Sequence, residues 1–328
     1  FVDSNLFFMK ILISENHSIY VAGHNGLAGS AICRALRKFG YKNIITVSRE
    51  ELDLRNQIKV KKWFKENSPD IVILAAAKVG GILANSIYPY DFIIENIQIQ
   101  TNVIEAAYQN SVKRLLFLSS SCAYPKKCTQ PIREEYLLSN YLEKTNENYA
   151  LAKIVGMKFC EALRKQKNFD AFSLMPTNLY GPNDNYQDNE SHVFAALIKK
   201  FVTAEINNLD QVICWGDGSP KREFLHVDDL AEASVFTLEN FQFSLNNCSF
   251  LNVGTGKDIS IFDLAMLIKN KVGFKGSIIW DKTKPNGTPL KRLDITRIEK
   301  LGWKNKISLE EGIEKTINEF KKNINLIF

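Results

Sequence analysis

Residues 18–29 read S-I-Y-V-A-G-H-N-G-L-A-G, and their reading decides the fold. Ser18 to Ala22 is a short β-rich apolar run. Gly23, Gly26 and Gly29 follow at the spacing G-x-x-G-x-x-G, and Ala28, Ile32, Ala35, Leu36 and Phe39 then recur at helical intervals. A strand, a glycine turn and a helix in that order let backbone approach a pyrophosphate closely. The helix N-terminus after Leu27 of the turn adds free N–H groups and a positive dipole end. An ordinary glycine turn shares the spacing but does not require the flanking strand and stripe.

Outward from that turn, Ile44 to Val47 reads as a second strand. It is followed by Ser48 and Arg49, where an NAD site would place an acid on the ribose. A guanidinium there welcomes a 2′-phosphate, which favours NADP(H). The alternative leaves Arg49 solvated, with Glu50 or Glu51 on the ribose. Gln57 to Glu66 reads as a helix and Ile71 to Ala77 as a strand buried on both faces. Its small end residues, Ala75, Ala76 and Ala77, leave room for a flat cofactor. A long helix is expected over Phe92–Gln109 and a fourth strand over Leu115–Leu118.

That strand runs into Ser119-Ser120-Ser121-Cys122. Ligands of open α/β sheets gather at such carboxyl ends. Hydroxyls here can hold a substrate oxygen and a thiol can move a proton; strand termination and a small buried cysteine are the plain readings. Residues 147–153, E-N-Y-A-L-A-K, place Tyr149 and Lys153 one helical turn apart on one face. An ammonium beside a phenol is expected to lower the phenol's pKa. Thr145 or Asn146 is the expected N-cap of this helix.

Phe172 to Met175 reads as the next strand, leading to Pro176-Thr177-Asn178-Leu179. Gly181 to Ser191 is polar and turn-rich, and His192 opens a helix that ends near Ala204. Gln211 to Trp215 reads as a strand, and Asp228-Asp229 as the cap of a helix over Leu230–Glu239. Arg222, Lys284, Lys291 and Arg292 are of the type that grips phosphates, or are solvated surface charge. Leu309 to Phe320 reads as a terminal helix.

The 328 residues, 45% hydrophobic and 24% charged, suit a globular chain with one large or two smaller cores. A formal charge of +6 without an arginine-rich block points to anionic small molecules and away from nucleic acid. Six cysteines (Cys33, Cys122, Cys128, Cys160, Cys214 and Cys248) form no Cys-x-x-Cys pair, and with four histidines no metal cluster is visible. Reduced thiols and a cytoplasmic setting are expected. No apolar run approaches the ~18 residues of a membrane span. Phe1 to Phe8 reads as upstream or extraneous sequence, with Met9 a possible native start.

The order of glycine turn, Arg49, Ser-Ser-Ser-Cys and Tyr-x-x-x-Lys resembles the extended short-chain dehydrogenase/reductase family. Residues 75–82, 120–125, 175–182, 191–193 and 222–229 are similar to one branch of it. That branch epimerises C3 and C5 and reduces C4 of GDP-4-keto-6-deoxy-D-mannose. The resemblance implies an α/β fold, a Rossmann-type doubly wound parallel sheet with a smaller α/β substrate-binding region. The sheet would come from 18–180, with 211–239 returning to it, and the substrate region mainly from 181–328.

It further implies Tyr149 as proton donor to the C4 oxygen and Ser120 as a donor to the same oxygen. Lys153 would hold the nicotinamide ribose and poise Tyr149. Cys122 and His192 would be the epimerisation base and acid. NADP(H) would lie along the glycine turn, Arg49, Ala75–Ala77, Lys153, Pro176, Asn178, Leu179 and His192. Lys200, Trp215, Arg222 and Lys284 would hold the GDP-sugar, and the chain would form a homodimer. Asn25, Lys200 and Ser119 depart from the branch's pattern, standing where arginine, arginine and glycine are common. A 4,6-dehydratase would want an acidic pair beside the serine, which Ser121-Cys122 does not supply. A simple 4-epimerase would keep NAD bound and have no need of Cys122. A non-catalytic NADP-binding sensor would have no need of Ser120, Tyr149 and Lys153 together.

Overall fold

The computed structural model describes residues 12–188, 190–242, 249–284 and 286–327. Phe1 to Phe8, Met9 and Cys248 lie outside them. Apolar runs form the centre. β1 (Ile19–Ala22), β3 (Ile71–Leu74), β4 (Arg114–Leu118) and β5 (Ala171–Pro176) are buried at every position. A strand covered on both faces reads this way in a parallel sheet. β2 (Ile44–Ile45) is shorter than the sequence suggests, with Val47 beyond its end. With β9 (Phe250–Val253) these strands make a parallel sheet in the order β2-β1-β3-β4-β5-β9. The order reverses between β1 and β3, which opens a crevice beyond their carboxyl ends.

Amphipathic helices cover the sheet: α1 (Leu27–Lys38), α2 (Gln57–Asn67), α4 (Pro89–Gln109), α5 (Glu147–Lys167) and, further along the chain, α7 (Val227–Asn240), while the short α3 (Ile82–Ile87) packs on α4. α1 packs on α7, and α4 on both α2 and α5. α5 lies close on β4 because Gly156 has no side chain. A Cβ there would sit 2.6 Å from Cζ of the buried Phe117. Asn146 occupies the N-cap position of α5, but neither it nor Thr145 caps through its side chain. A 3₁₀ turn at Lys144–Asn146 precedes the helix, and Glu143 accepts from the Thr145 N–H.

The second core surrounds α6 (Val193–Ile206), α8 (Ile261–Val272) and α10 (Leu309–Ile327), which pack on one another. It also holds two small sheets. β8 (Lys221–His226) is central to one, beside β6 (Asn178–Tyr180), β10 (Asp258–Ser260) and β12 (Leu290–Lys291). β7 (Gln211–Trp215) pairs with β11 (Ser277–Asp281) in the other. α9 (Thr296–Lys300) packs near β9.

The expected return of 211–239 is divided. β7 and β8 pair outside the large sheet, with Val212, Cys214 and Phe224 in the second core and Leu225 in the first; α7 packs on α1 in the large sheet's layer, and β9 is the strand that joins. Asp228 and Asp229 do not cap α7 either. The His226 imidazole accepts from the Asp228 N–H, and the Asp229 carboxylate accepts from Lys306 and Ile307. The two cores are tied by Thr177 and Asn178, which both donate to the Glu223 carbonyl.

Candidate active site

A cavity of about 1010 Å³ runs from the crevice between β1 and β3 to the face of the second core. Its first wall is the glycine turn. Gly23 has φ +88°, and a Cβ on it would lie 2.6 Å from the Ala76 nitrogen; one on Gly29 would lie 2.0 Å from the Gly23 oxygen. Only glycine fits this close crossing of two backbones. Gly26 leads into α1 with no side-chain cap, so the first N–H groups of the helix face the cavity unsatisfied. Gly26 and Leu27 line it, as do Ala75, Ala76 and Ala77. Turn, helix start and small-residue wall fit a dinucleotide diphosphate.

At the far end of that wall stand Arg49, Asp53, Arg55, Lys78 and Glu95. Arg49 is 66% exposed and lies 3.5 Å from the mostly buried Glu95 carboxylate. Arg55 grips Asp53 through Nε at 3.0 and 3.1 Å and through Nη2 at 2.7 Å. This guanidinium holds the Asp53 carboxyl down at about 2. Glu51 folds back to accept from the Ser48 N–H and does not reach the cavity.

The carboxyl end of β4 supplies the middle of the wall. Ser119 turns inward, its Oγ on the Met157 sulfur at 3.0 Å. Ser120 is thereby left as the hydroxyl beside Tyr149. The Ser120 Oγ also accepts from the Cys122 N–H at 3.2 Å, which fixes the 3₁₀ turn that carries the thiol. Phe92 of α4 meets the Tyr149 ring edge-on at 6.3 Å. Ser120, Cys122 and Tyr149 all line the cavity.

The expected lowering of the phenol pKa is reversed. Burial raises the Tyr149 pKa, the nearby Cys122 raises it further, and Ser120 offsets only a part. Lys153 explains why its help is missing. It is 3% exposed and donates to the Leu118 carbonyl at 2.8 Å. Burial brings its own pKa down to about 7, so it is a weak cation. Lys153 lies beneath Tyr149, with Nζ 5.8 Å from the ring centre, and is absent from the cavity wall.

His192 sits at the N-cap position of α6 without capping it, and its ring opens onto the cavity. The residue keeps an exposed surface, and the protein atoms around its ring lower its pKa by desolvation. Pro176, Asn178 and Leu179 form the floor between the two cores.

Lys200, Trp215 and Arg222 line the opposite end. The Lys200 Nζ donates to the Ile213 carbonyl at 2.7 Å, and the ammoniums of Lys200 and Lys284 stand 5.7 and 5.4 Å from the Trp215 ring. Lys284 therefore braces Trp215 from outside the cavity wall. Arg292 is engaged with Asp258 at 3.2 Å, and it too lies off the wall, while Lys291 lines it. Sequence reasoning missed Arg55, Glu95 and Glu143. Only the chain's folding brings them to the cavity, although D-x-R at 53–55 was a visible local ion pair.

Residues 19–254 match the NAD dependent epimerase/dehydratase family. The chain is 52% identical over 310 residues to GDP-L-fucose synthase 1 of Arabidopsis thaliana, covering 94% of this chain and 95% of that one. It is 49% identical over 313 residues to GDP-L-fucose synthase of Escherichia coli K12, covering 93% and 97%. The structure of a GDP-L-fucose synthetase from Naegleria fowleri bound to NADP superposes with a TM-score of 0.86 at 26% identity, over 97% of this chain and 98% of that one. With its parallel sheet, glycine turn and Ser-Tyr-Lys arrangement, the chain belongs to the NAD dependent epimerase/dehydratase family, in the GDP-L-fucose synthase group.

Proposed function

We propose that the protein converts GDP-4-keto-6-deoxy-D-mannose to GDP-L-fucose by 3,5-epimerisation and NADPH-dependent 4-reduction. One observation carries this reading: Ser120, Cys122, Tyr149 and His192 line one cavity beside a dinucleotide turn. Identity near 50% to proteins named GDP-L-fucose synthase supports the substrate, and the NADP-bound relative supports the cofactor.

A C4 ketone acidifies the protons on C3 and C5, because the resulting carbanion is an enolate. Ser120 and Tyr149 donate to the C4 oxygen and stabilise that charge. Cys122 removes the proton, and the His192 imidazole returns one from the other side. NADPH, when bound, supplies the hydride to C4. Tyr149 then protonates the alkoxide oxygen. A phenol kept protonated by burial is in the form this step needs. Lys153 supports the phenol from below. At the distal end Arg222 takes the pyrophosphate, and Lys200 and Trp215, braced by Lys284, hold the rest of the GDP.

The same reading includes a homodimer in the cytoplasm. α4 and α5 lie side by side, and Tyr88 before α4, Tyr90 on it and Leu151 and Val155 on α5 are exposed apolar residues that a second copy would cover. Among the described residues no helix is long and apolar enough to cross a membrane.

Three outcomes are expected. Purified protein given GDP-4-keto-6-deoxy-D-mannose oxidises NADPH and releases GDP-L-fucose; no oxidation by protein that binds NADPH would reject the substrate. Light scattering returns twice the chain mass, and the mass of one chain would remove the dimer. Lys153→Met abolishes turnover and also changes the pH dependence of stability. Between about pH 7 and the ordinary lysine value near 10.4 the unfolded chain binds the Lys153 proton and the native chain does not. The parent's unfolding free energy should therefore gain on the variant's by up to ~1.4 kcal/mol per pH unit as pH rises through that window. Parallel urea-unfolding profiles for the two proteins would show that Lys153 is not desolvated.

A further inference from the structure

We propose that Arg55 is a second guanidinium for the cofactor's 2′-phosphate and, with Arg49, sets the preference for NADPH; this rests on the NADPH reading above. The glycine turn offers no arginine. His24 and the exposed Asn25 line the cavity there. Arg49 is two-thirds exposed and held only at 3.5 Å. One loosely held guanidinium is a poor clamp for a dianion, since its side-chain entropy is lost on binding.

Arg55 is built in. Leu52 is buried in the main core and Leu54 packs against it, which anchors the segment that carries Asp53 and Arg55 along the cavity. The buried Asn102 of α4 donates to the carbonyls of both Leu54 and Arg55, at 2.9 and 3.0 Å, and so fixes the backbone. The Arg55 Nη1 lies 3.2 Å from Glu95 Oε2, the same oxygen that faces Arg49 Nη2. The two guanidiniums therefore stand side by side on one carboxylate oxygen at the cavity wall. Asp53 takes Nε and Nη2, and Glu95 faces Nη1. The two terminal nitrogens carry four N–H groups between them, more than these partners use, and a phosphate accepts from such donors.

The pairing with Asp53 has a second effect. A free carboxylate beside a 2′-phosphate would repel it. Arg55 ties up both Asp53 oxygens and cancels that charge. Glu95 and Asn102 act as positioning residues for it. Selectivity then comes from Arg55 by attraction and by masking Asp53.

The test is calorimetric binding of 2′,5′-ADP and 5′-AMP, which differ by the 2′-phosphate, to the whole chain without substrate. The parent is expected to bind 2′,5′-ADP at least tenfold tighter. Arg55→Ala should reduce that ratio about tenfold, ~1.4 kcal/mol, with 5′-AMP affinity kept within about twofold. Arg55→Lys should fall between, because it keeps the charge and loses the fork. Adding Asp53→Asn to Arg55→Ala should restore part of the ratio. A parental ratio in Arg55→Ala would overturn the role of Arg55 alone. A ratio near one in the parent would overturn the NADPH reading, and this inference with it.

Discussion

The structure depends on how closely α5 lies against β4. With Gly156 on Phe117 and Gln100 donating to the Ala152 carbonyl, the helix approaches until Lys153 reaches the Leu118 carbonyl. That contact takes an ammonium out of water. It carries Tyr149 to the carboxyl end of the sheet, where the serine string and Cys122 emerge. Burial then decides the protonation states: the phenol keeps its proton and the lysine holds its proton weakly. An exposed Tyr-x-x-x-Lys helix would have neither property.

The second core completes the site from the other side. Thr177 and Asn178, on the segment leaving β5, bond to the Glu223 carbonyl, so β6 and β8 are set against the end of the large sheet. His192 on α6 and Arg222 on β8 face the cavity as a result. The two chemical steps proposed for the cavity need the same oxygen-binding pair, and that economy explains why one pocket suffices for both. At the opposite end, the shared Glu95 oxygen gathers two guanidiniums side by side.

Much of this was legible in the sequence. Apolar runs at 19–22, 71–74 and 115–118 are strands because they are long enough to cross a buried sheet and too short for a helix. The glycine turn was readable because Gly23 must adopt positive φ and lie against Ala76. Ser120, Cys122, Tyr149 and His192 were legible as residue types, and the fold brings all four to one cavity. Other features depended on contacts that spacing does not encode. The i, i+4 relation of Tyr149 and Lys153 was correct, but whether the ammonium faces the phenol or a strand carbonyl depends on packing depth. The cap of α7 falls to His226 instead of the acids after it, because Asp229 is drawn to the N–H groups of Lys306 and Ile307. β7 alternates buried and exposed residues, which suits a half-covered two-stranded sheet, but its apolar sequence does not reveal that Ile213 and Trp215 are exposed. Arg55 was hidden because its partners, Glu95 and Asn102, lie on a helix some forty residues away.

The central claim is that a thiol and a phenol on one wall act on one ketone in separable steps. Its most direct measurement is mass spectrometry of the GDP-sugar after incubation in D₂O with Cys122→Ser and with Tyr149→Phe. The account predicts that the cysteine variant loses deuterium incorporation at C3 and C5, while the tyrosine variant fails to reduce and still exchanges. Exchange at the parental rate in Cys122→Ser would contradict it.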